Sequence, residues 1–233
     1  MAKKALVWDA IGEHFYETGV DHGVLFPMGE KNQYGEGVAW NGLTAVNESP
    51  SGAEATALYA DNIKYLNLYS AEEYGFTIEA YQSPVEFDQC DGTGVPVPGV
   101  TVGQQTRRSF GFVYRTKIGN DTDGQDHGYK LHIVYGAMAS PSEKNHQTVN
   151  DSPEALTLSW TCTTTPIPVT GFTPTSKITI DSTLFADEAG KAKLKTLEDM
   201  LFGKDPTTPD GDDGVAPKLP LPDELINMMK VGG

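Results

Sequence analysis

The sequence predicts a mainly β protein whose antiparallel strands form a sandwich or barrel, with a short flanking helix, a long loop or hairpin arm and a C-terminal helical arm. Runs of alternating apolar and polar residues follow one another to about residue 181, and Gly, Pro, Asn and Asp clusters separate them. The 233-residue chain suits a single all-β unit. The predicted strands cover residues 13–17, 22–28, 36–46, 63–69, 74–81, 107–118, 129–138, 155–164 and 173–181.

The stretch GYKLHIVYG, residues 128–136, has the clearest alternation in the chain. Successive side chains of a strand point to opposite faces. One face is apolar and consists of Leu131, Ile133 and Tyr135. The other face is mixed and consists of Lys130, His132 and Val134. Residues 120–124, NDTDG, tolerate positive φ and predict a hairpin that joins this strand to the preceding one.

Residues 83–90 predict the short flanking helix. Ser83 is placed to cap it, Pro84 suits its first turn, and Glu86 lies at capping-box spacing from Ser83. Val85 and Phe87 do not fall on one helical face, which weakens the pattern.

Residues 29–60 predict a contact arm attached to the β domain, which spans residues 1–186. The segment is mostly small and polar, and a loop or long hairpin of this size inside a compact domain is usually functional or disordered. Its apolar residues Trp40, Leu43 and Val46 are therefore predicted to be assembly contacts.

Residues 187–233 predict a C-terminal helical arm. A helix over 187–202 carries a stripe of Leu194, Leu197 and Leu201, a proline-rich connector follows to residue 222, and a last helix covers 223–230. We expect this arm to reach out and dock on a partner through four apolar side chains, Leu225, Ile226, Met228 and Met229.

The charge argues against ordinary nucleic-acid binding. Seventeen Lys and Arg stand against 32 Asp and Glu, which gives a net charge of -15 and an isoelectric point near 4.6. No apolar run approaches the ~18 residues of a membrane span. Because Asp9 interrupts the apolar run near the N-terminus, no signal peptide is predicted, and we expect the chain to remain in a cytoplasm.

No motif predicts an enzyme, a cofactor or a metal centre. Asp121, Asp123 and Asp126 around Gly124 have part of the pattern of a calcium loop, but the residue order differs and the closing glutamate is missing. Turn chemistry is the alternative explanation for these acids. The two cysteines, Cys90 and Cys162, are predicted to be reduced core residues.

Long segments of the chain resemble a known family. They are residues 57–92, 103–121, 128–166 and 219–229, which read ALYADNIKYLNLYSAEEYGFTIEAYQSPVEFDQCDG, GQQTRRSFGFVYRTKIGND, GYKLHIVYGAMASPSEKNHQTVNDSPEALTLSWTCTTTP and LPLPDELINMM. The sequence resembles the major tail protein, or tail tube protein, of long-tailed, siphovirus-type phages and prophages of Gram-positive bacteria. The resemblance implies a β-sandwich or barrel of the phage tail tube type with a flanking helix, in a subunit without enzymatic activity.

The resemblance further implies hexameric rings that stack head to tail into a hollow tube. DNA passes through such a tube without specific binding, and a tape measure protein fills the lumen before ejection. Tail terminator and tail-tip proteins are the expected partners, and the expected location is the virion tail, assembled in the host bacterial cytoplasm. Carboxylates on the lumen would repel DNA phosphates.

Three alternatives stay open at the level of sequence. His132 and Val134 line either the lumen or an interface within the ring. The tube can belong to a contractile tail or injection system instead of a sheathless tail. A virion-surface β-sandwich that binds carbohydrate or a receptor is a further candidate, in which tryptophans would stack on sugar rings.

Overall fold

The computed structural model describes residues 5–148, 155–206 and 214–230. These residues are mainly β, with antiparallel sheets and two α-helices, which confirms the prediction of a mainly β protein. The helices are α1, Glu188–Phe202, and α2, Pro222–Met229. The strands in chain order are β1 Tyr16–Pro27, β2 Val38–Trp40, β3 Leu43–Glu48, β4 Ser51–Gly52, β5 Ala55–Ala60, β6 Ile63–Tyr69, β7 Glu72–Glu73, β8 Gly75–Ala80, β9 Gly94–Val97, β10 Val100–Val102, β11 Phe110–Asn120, β12 Gly124–Ala139, β13 Leu158–Thr164, β14 Ile167–Val169, β15 Phe172–Thr175 and β16 Lys177–Asp181.

One large antiparallel sheet organises the fold. Its strands follow the order β2-β1-β11-β12-β13-β8-β3, and β16 adds to β12 beside β13. Strand β12 pairs with β16 through residues 130–134 and with β13 through residues 137–139. Gly136 separates the two regions with φ +59°, and a Cβ there would lie 2.3 Å from the Thr165 carbonyl oxygen. Only glycine allows this close approach.

The sheet curls until strands near its two ends touch. A Cβ on Gly23 of β1 would lie 2.4 Å from Cδ1 of Leu43 in β3, although these strands are far apart in the sheet order. The curl gives the sheet a concave face and a convex face, and alternate residues of each strand supply apolar side chains to both.

Two cores result. The first, here called the aromatic core, consists of Leu25, Trp40, Phe76, Ile78, Ala80, Phe87, Cys90, Phe110, Phe112, Tyr114, Val134, Ala137, Ala139, Trp160 and Cys162. The second, here called the helix-side core, consists of Val24, Phe26, Val113, Leu131, Ile133, Tyr135, Ile180, Leu194, Leu197, Leu201, Leu219 and Leu225. The alternation predicted for residues 128–136 is confirmed, because its apolar face lies in the helix-side core.

The C-terminal segment completes the helix-side core. Asp187 caps α1 by accepting a hydrogen bond from the Gly190 backbone N–H at 3.0 Å, and the predicted leucine stripe of α1 is buried. The Tyr135 hydroxyl donates to the Pro220 carbonyl at 3.0 Å, and the Lys218 N–H donates to the Met200 carbonyl at 2.7 Å. The described part of the proline-rich connector therefore lies against the sheet.

Some local predictions were wrong. Residues 83–90 form only a single 3₁₀ turn over Val85–Phe87, with no side-chain cap. Phe87 is buried in the aromatic core while Val85 is 73% exposed, so these two residues cannot form one helical face. The predicted strand 36–46 is two short strands, β2 and β3. Strand β1 contains only residues 16 and 17 of the predicted strand 13–17, runs on through residues 18–21 and contains residues 22–27 of the predicted strand 22–28.

Candidate assembly surface

Strands β5 and β6 form a hairpin with large exposed apolar side chains. Strands β5 and β6 form their own two-stranded sheet, and β4 and β7 form a second short one at its base. Its large apolar side chains are between 39% and 73% exposed, namely Leu58, Tyr59, Ile63, Tyr65, Leu66, Leu68 and Tyr69. We call residues 51–73 the arm hairpin. An isolated two-stranded hairpin is at best marginally stable in water. Contact with another molecule would cover the exposed apolar side chains and stabilise this one.

The arm hairpin is apolar on both faces. Thr56 pairs with Leu68 and Leu58 with Leu66, which places leucines on one face. Ala55 pairs with Tyr69, which places an aromatic ring on the opposite face because these residues alternate with the leucine pairs. A single flat surface can cover only one of the two faces.

Local chemistry fixes the tip of the arm hairpin. Asp61 and Asn62 both adopt positive φ, at 51° and 62°, between the paired residues Ala60 and Ile63. Two consecutive left-handed residues form a type I′ turn, whose backbone twist matches that of the two flanking strands. Asp and Asn tolerate the left-handed conformation.

The root of the arm hairpin is fastened to the large sheet. The Ser49 N–H donates to the Gly75 carbonyl at 2.8 Å, which joins the two ends of the hairpin. The Glu48 carboxylate accepts the Tyr114 hydroxyl at 2.6 Å and forms an ion pair with Lys177. The Lys177 ammonium also lies 5.6 Å from the centre of the Tyr74 ring.

A buried histidine lies beside this root. His132 is 5% exposed and its ring stacks on Tyr114 with centroids 4.5 Å apart. Its Nε2 lies 2.9 Å from the Thr116 hydroxyl, and carboxylate oxygens of Glu17 and Glu48 lie 3.5 and 3.9 Å from its ring nitrogens. Burial, followed by the nearby Lys177 charge, lowers the pKa of His132 to about 4.

Burial decides between the two surfaces that sequence left open for His132 and Val134. Val134 is fully buried in the aromatic core, and His132 is nearly so. Neither side chain has the exposure needed to line a lumen or a ring interface. Both expectations for these residues were wrong, because the mixed face of β12 is the concave face of the curled sheet.

The predicted arm, residues 29–60, has different bounds in the structure. Trp40 is 2% exposed in the aromatic core, and its indole N–H donates to the Gln82 carbonyl at 2.8 Å. Leu43 and Val46 pack against the same core from β3. Trp40 is therefore a core residue with no surface for an assembly contact, whereas Leu43 and Val46 are half-buried at the edge of the core; the exposed arm starts at residue 51.

The C-terminal residues predicted to dock on a partner dock on their own chain. Leu225 is 2% exposed in the helix-side core, Met228 and Met229 pack against it, and Ile226 is half-buried. Asp223 fixes the start of α2 by accepting the Thr170 N–H at 2.9 Å and its hydroxyl at 2.7 Å. Prediction of the helix was correct, and in the single chain Leu225 lies inside the subunit while Ile226, Met228 and Met229 keep part of their surface exposed.

The N-terminal segment forms a second exposed apolar surface. Its large side chains are between 59% and 90% exposed, namely Leu6, Val7, Trp8, Ile11 and Phe15. Asp121 anchors this segment, because its carboxylate accepts the Gly12 N–H at 3.0 Å and the His14 N–H at 3.3 Å. The bond from Gly12 is the main reason that the pKa of Asp121 is lowered to about 2.

The acids predicted as cation ligands serve other contacts. Asp121 holds the N-terminal segment, and Asp123 lies 2.9 Å from the His127 ring nitrogen Nδ1. The Asp126 N–H donates to the Asp123 carbonyl at 3.4 Å, as expected in a turn. In the three described ranges, no three His, Cys, Asp or Glu residues are placed to share a metal ion.

Comparison with known proteins finds no match among protein-family models and none among curated sequences. Neither described α-helix has the length and apolarity that crossing a membrane requires.

Proposed function

We propose that this chain is the structural subunit of a phage tail tube, assembled as hexameric rings that stack head to tail. The observation that carries the proposal is the arm hairpin, a regular element whose large apolar side chains lie on both faces and are 39% to 73% exposed among the described residues. The sequence resemblance to major tail proteins supports the same conclusion.

The two-faced hairpin favours assembly with more than one neighbour. Leucines on one face and tyrosine on the other need two separate surfaces, so a simple dimer would leave one face in water. Head-to-tail rings supply neighbours on several sides, because each subunit uses different patches towards different copies. The exposed N-terminal segment provides one further apolar patch for such contacts.

The charge suits a conduit. A net charge of -15 spread along the chain makes the surface electronegative, so DNA in transit is repelled rather than held. In this proposal the tape measure protein occupies the lumen before ejection, and tail terminator and tail-tip proteins close the ends. An inner tube of a contractile system would use the same subunit contacts, and micrographs of the assembled particle distinguish the two by the sheath.

A carbohydrate-binding module has weaker support. Trp40 and Trp160 are 2% and 1% exposed in the aromatic core, so they offer no platform for a sugar ring. Trp8 alone is exposed, on the N-terminal segment.

Sedimentation velocity and negative-stain microscopy of the purified chain test the proposal. We expect rings or tubes at high concentration, and loss of both in Leu68→Ser and in Tyr69→Ser, which alter opposite faces of the arm hairpin. The matched control is Leu184→Ser, since Leu184 is 81% exposed outside the hairpin. A wild-type chain that remains a monomer at every concentration would overturn the proposal.

A further inference from the structure

We infer that Lys177 is a positioning residue that fixes the direction in which the arm hairpin leaves the body of the subunit. The assembly role of this contact rests on the proposed function, whereas its effect on hairpin direction is a property of the single chain. One lysine of β16 reaches both ends of the root, through the ion pair with Glu48 and the contact with the Tyr74 ring.

The arm hairpin needs such a fastening because its own links to the body are few. The chain leaves the large sheet after Glu48 and rejoins it at Gly75, and the next pairing, between β4 and β7, is only two residues long on each side. Between that pairing and β5, the Ala53 N–H reaches the Ala71 carbonyl at 3.4 Å, near the limit of a hydrogen bond. A hairpin held only by its backbone root would pivot about these residues.

Lys177 is well placed to prevent that motion. Its backbone is fixed in the sheet by pairing with Val134, which is fully buried. Its side chain is only 21% exposed, and that of Glu48 is 35% exposed, so water screens this pair less than a fully exposed ion pair. An ammonium near an aromatic ring adds attraction to the Tyr74 side of the root.

Two other side chains bind the root. The Tyr114 hydroxyl donates to Glu48 at 2.6 Å and also interacts with the Tyr74 side chain, and the Thr164 hydroxyl donates to the Tyr74 carbonyl at 2.6 Å. Lys177 is the cation among these three partners and the one that comes from β16, so its loss removes the ion pair with Glu48 and the contact with the Tyr74 ring while the hydrogen bonds of Tyr114 and Thr164 remain. We therefore expect Lys177→Met to free the direction of the hairpin without unfolding the chain.

A distance measurement between two spin labels tests this inference. The native Cys90 and Cys162 are buried, and burial raises the pKa of both thiols to about 12, so added cysteines are labelled selectively. Labels go on Lys64→Cys near the hairpin tip and Lys191→Cys on exposed α1, and dilution into unlabelled protein isolates the distance within one chain.

We expect one narrow distance distribution for the wild-type background and a broader, shifted one for Lys177→Met. Lys177→Arg restores the charge and should restore the narrow distribution. Lys130→Met is the matched control, because it breaks the Lys130–Glu17 ion pair, away from the root, and should leave the distribution narrow. If Lys177→Met is poorly folded, Glu48→Gln removes the same pair and is expected to broaden the distribution.

An unchanged distribution in a folded Lys177→Met, or in Glu48→Gln, overturns the inference. Assembly of the same variants separates it from the proposed function. If the distance distribution broadens in Lys177→Met but the wild type forms no tubes, the role of Lys177 in hairpin direction is supported and the proposed tube function is overturned. If wild type and Lys177→Met form tubes at equal protein concentration, the proposed tube function is supported and the role of Lys177 in assembly is overturned.

Discussion

At the scale of residues, His132 shows how a polar side chain can be part of an apolar interior. Its ring is stacked on Tyr114 and hydrogen-bonded to Thr116, and the ion pairs Lys130–Glu17 and Lys177–Glu48 lie on either side of it. A neutral imidazole fits this site, whereas an imidazolium there would be desolvated.

The burial of His132 predicts an acid-sensitive fold. The pKa is about 4 in the folded chain against 6.5 for a free imidazole, so the unfolded chain binds more protons and the stabilising effect, present above pH 6.5, is lost as the pH falls towards 4. Between pH 7.5 and 5 we expect wild type to lose about 1–2 kcal/mol more unfolding free energy than His132→Gln. Urea titrations at both pH values measure this, and equal losses would contradict it.

The carboxylates beside His132 act in the same direction at lower pH. Desolvation is the largest single influence and raises both pKa values, but hydrogen bonds from Lys130 and Thr116 to Glu17 and from Lys177 and Tyr114 to Glu48, together with the nearby positive charges, lower both pKa values below 4.5. Their stabilising effect is complete above that value and is lost as the pH falls below it. The window between pH 7.5 and 5 therefore isolates His132.

A second prediction at the scale of residues concerns Asp121, which anchors the N-terminal segment. Asp121→Asn removes the carboxylate that accepts the Gly12 and His14 amides, so we expect faster hydrogen exchange at those amides and faster proteolysis before residue 15. Asp126→Asn is the control, because it removes one charge from the same hairpin end while the described bond of Asp126 is made by its backbone. Equal exchange in both variants would show that Asp121 does not anchor the segment.

At the scale of elements, α2 tests whether the C-terminal segment belongs to the core. Leu225 is 2% exposed among the leucines of α1, so Leu225→Ala should lower the unfolding free energy by about 2–4 kcal/mol. Denaturant titration at a concentration too low for assembly measures this loss. Unchanged stability together with impaired assembly would instead favour the predicted docking on a partner.

Elements governed by local chemistry were predictable from sequence. Alternation identified β6 at residues 63–69 and the faces of β12, a leucine stripe identified α1, and NDTDG identified the β11–β12 hairpin. These signals involve neighbours along the chain, so no knowledge of the tertiary fold was needed.

The surface that each apolar side chain covers was not predictable in the same way. The apolar stripe of α2 that contains Leu225 would be the same whether the helix covered its own sheet or that of a neighbouring subunit. Trp40 lies on a strand of only three residues between glycine-containing turns, which is too short for alternation to show which face is buried. A local signal for the arm hairpin did exist, since alternation on both sides of Asp61–Asn62 is typical of a hairpin. Only its second strand was identified.

At the scale of the whole molecule, apolar attraction and charge repulsion act against each other. The arm hairpin and the N-terminal segment expose large apolar side chains, while 32 acids against 17 bases give every copy the same net sign. Subunits that carry a charge of -15 repel one another at long range. The balance between these two forces sets the concentration at which copies assemble.

That balance predicts a salt dependence with a definite sign. Raising the ionic strength from about 0.01 M to about 0.15 M shortens the screening length from about 30 Å to about 8 Å, which weakens repulsion between copies and leaves apolar burial intact. We expect tubes to form at lower protein concentration in the higher salt, measured by sedimentation of the wild-type chain. Leu68→Ser should remain unassembled at both ionic strengths, because its defect lies in the apolar contact. Weaker assembly in the higher salt would mean that ion pairs between copies, rather than the arm hairpin, hold the rings together.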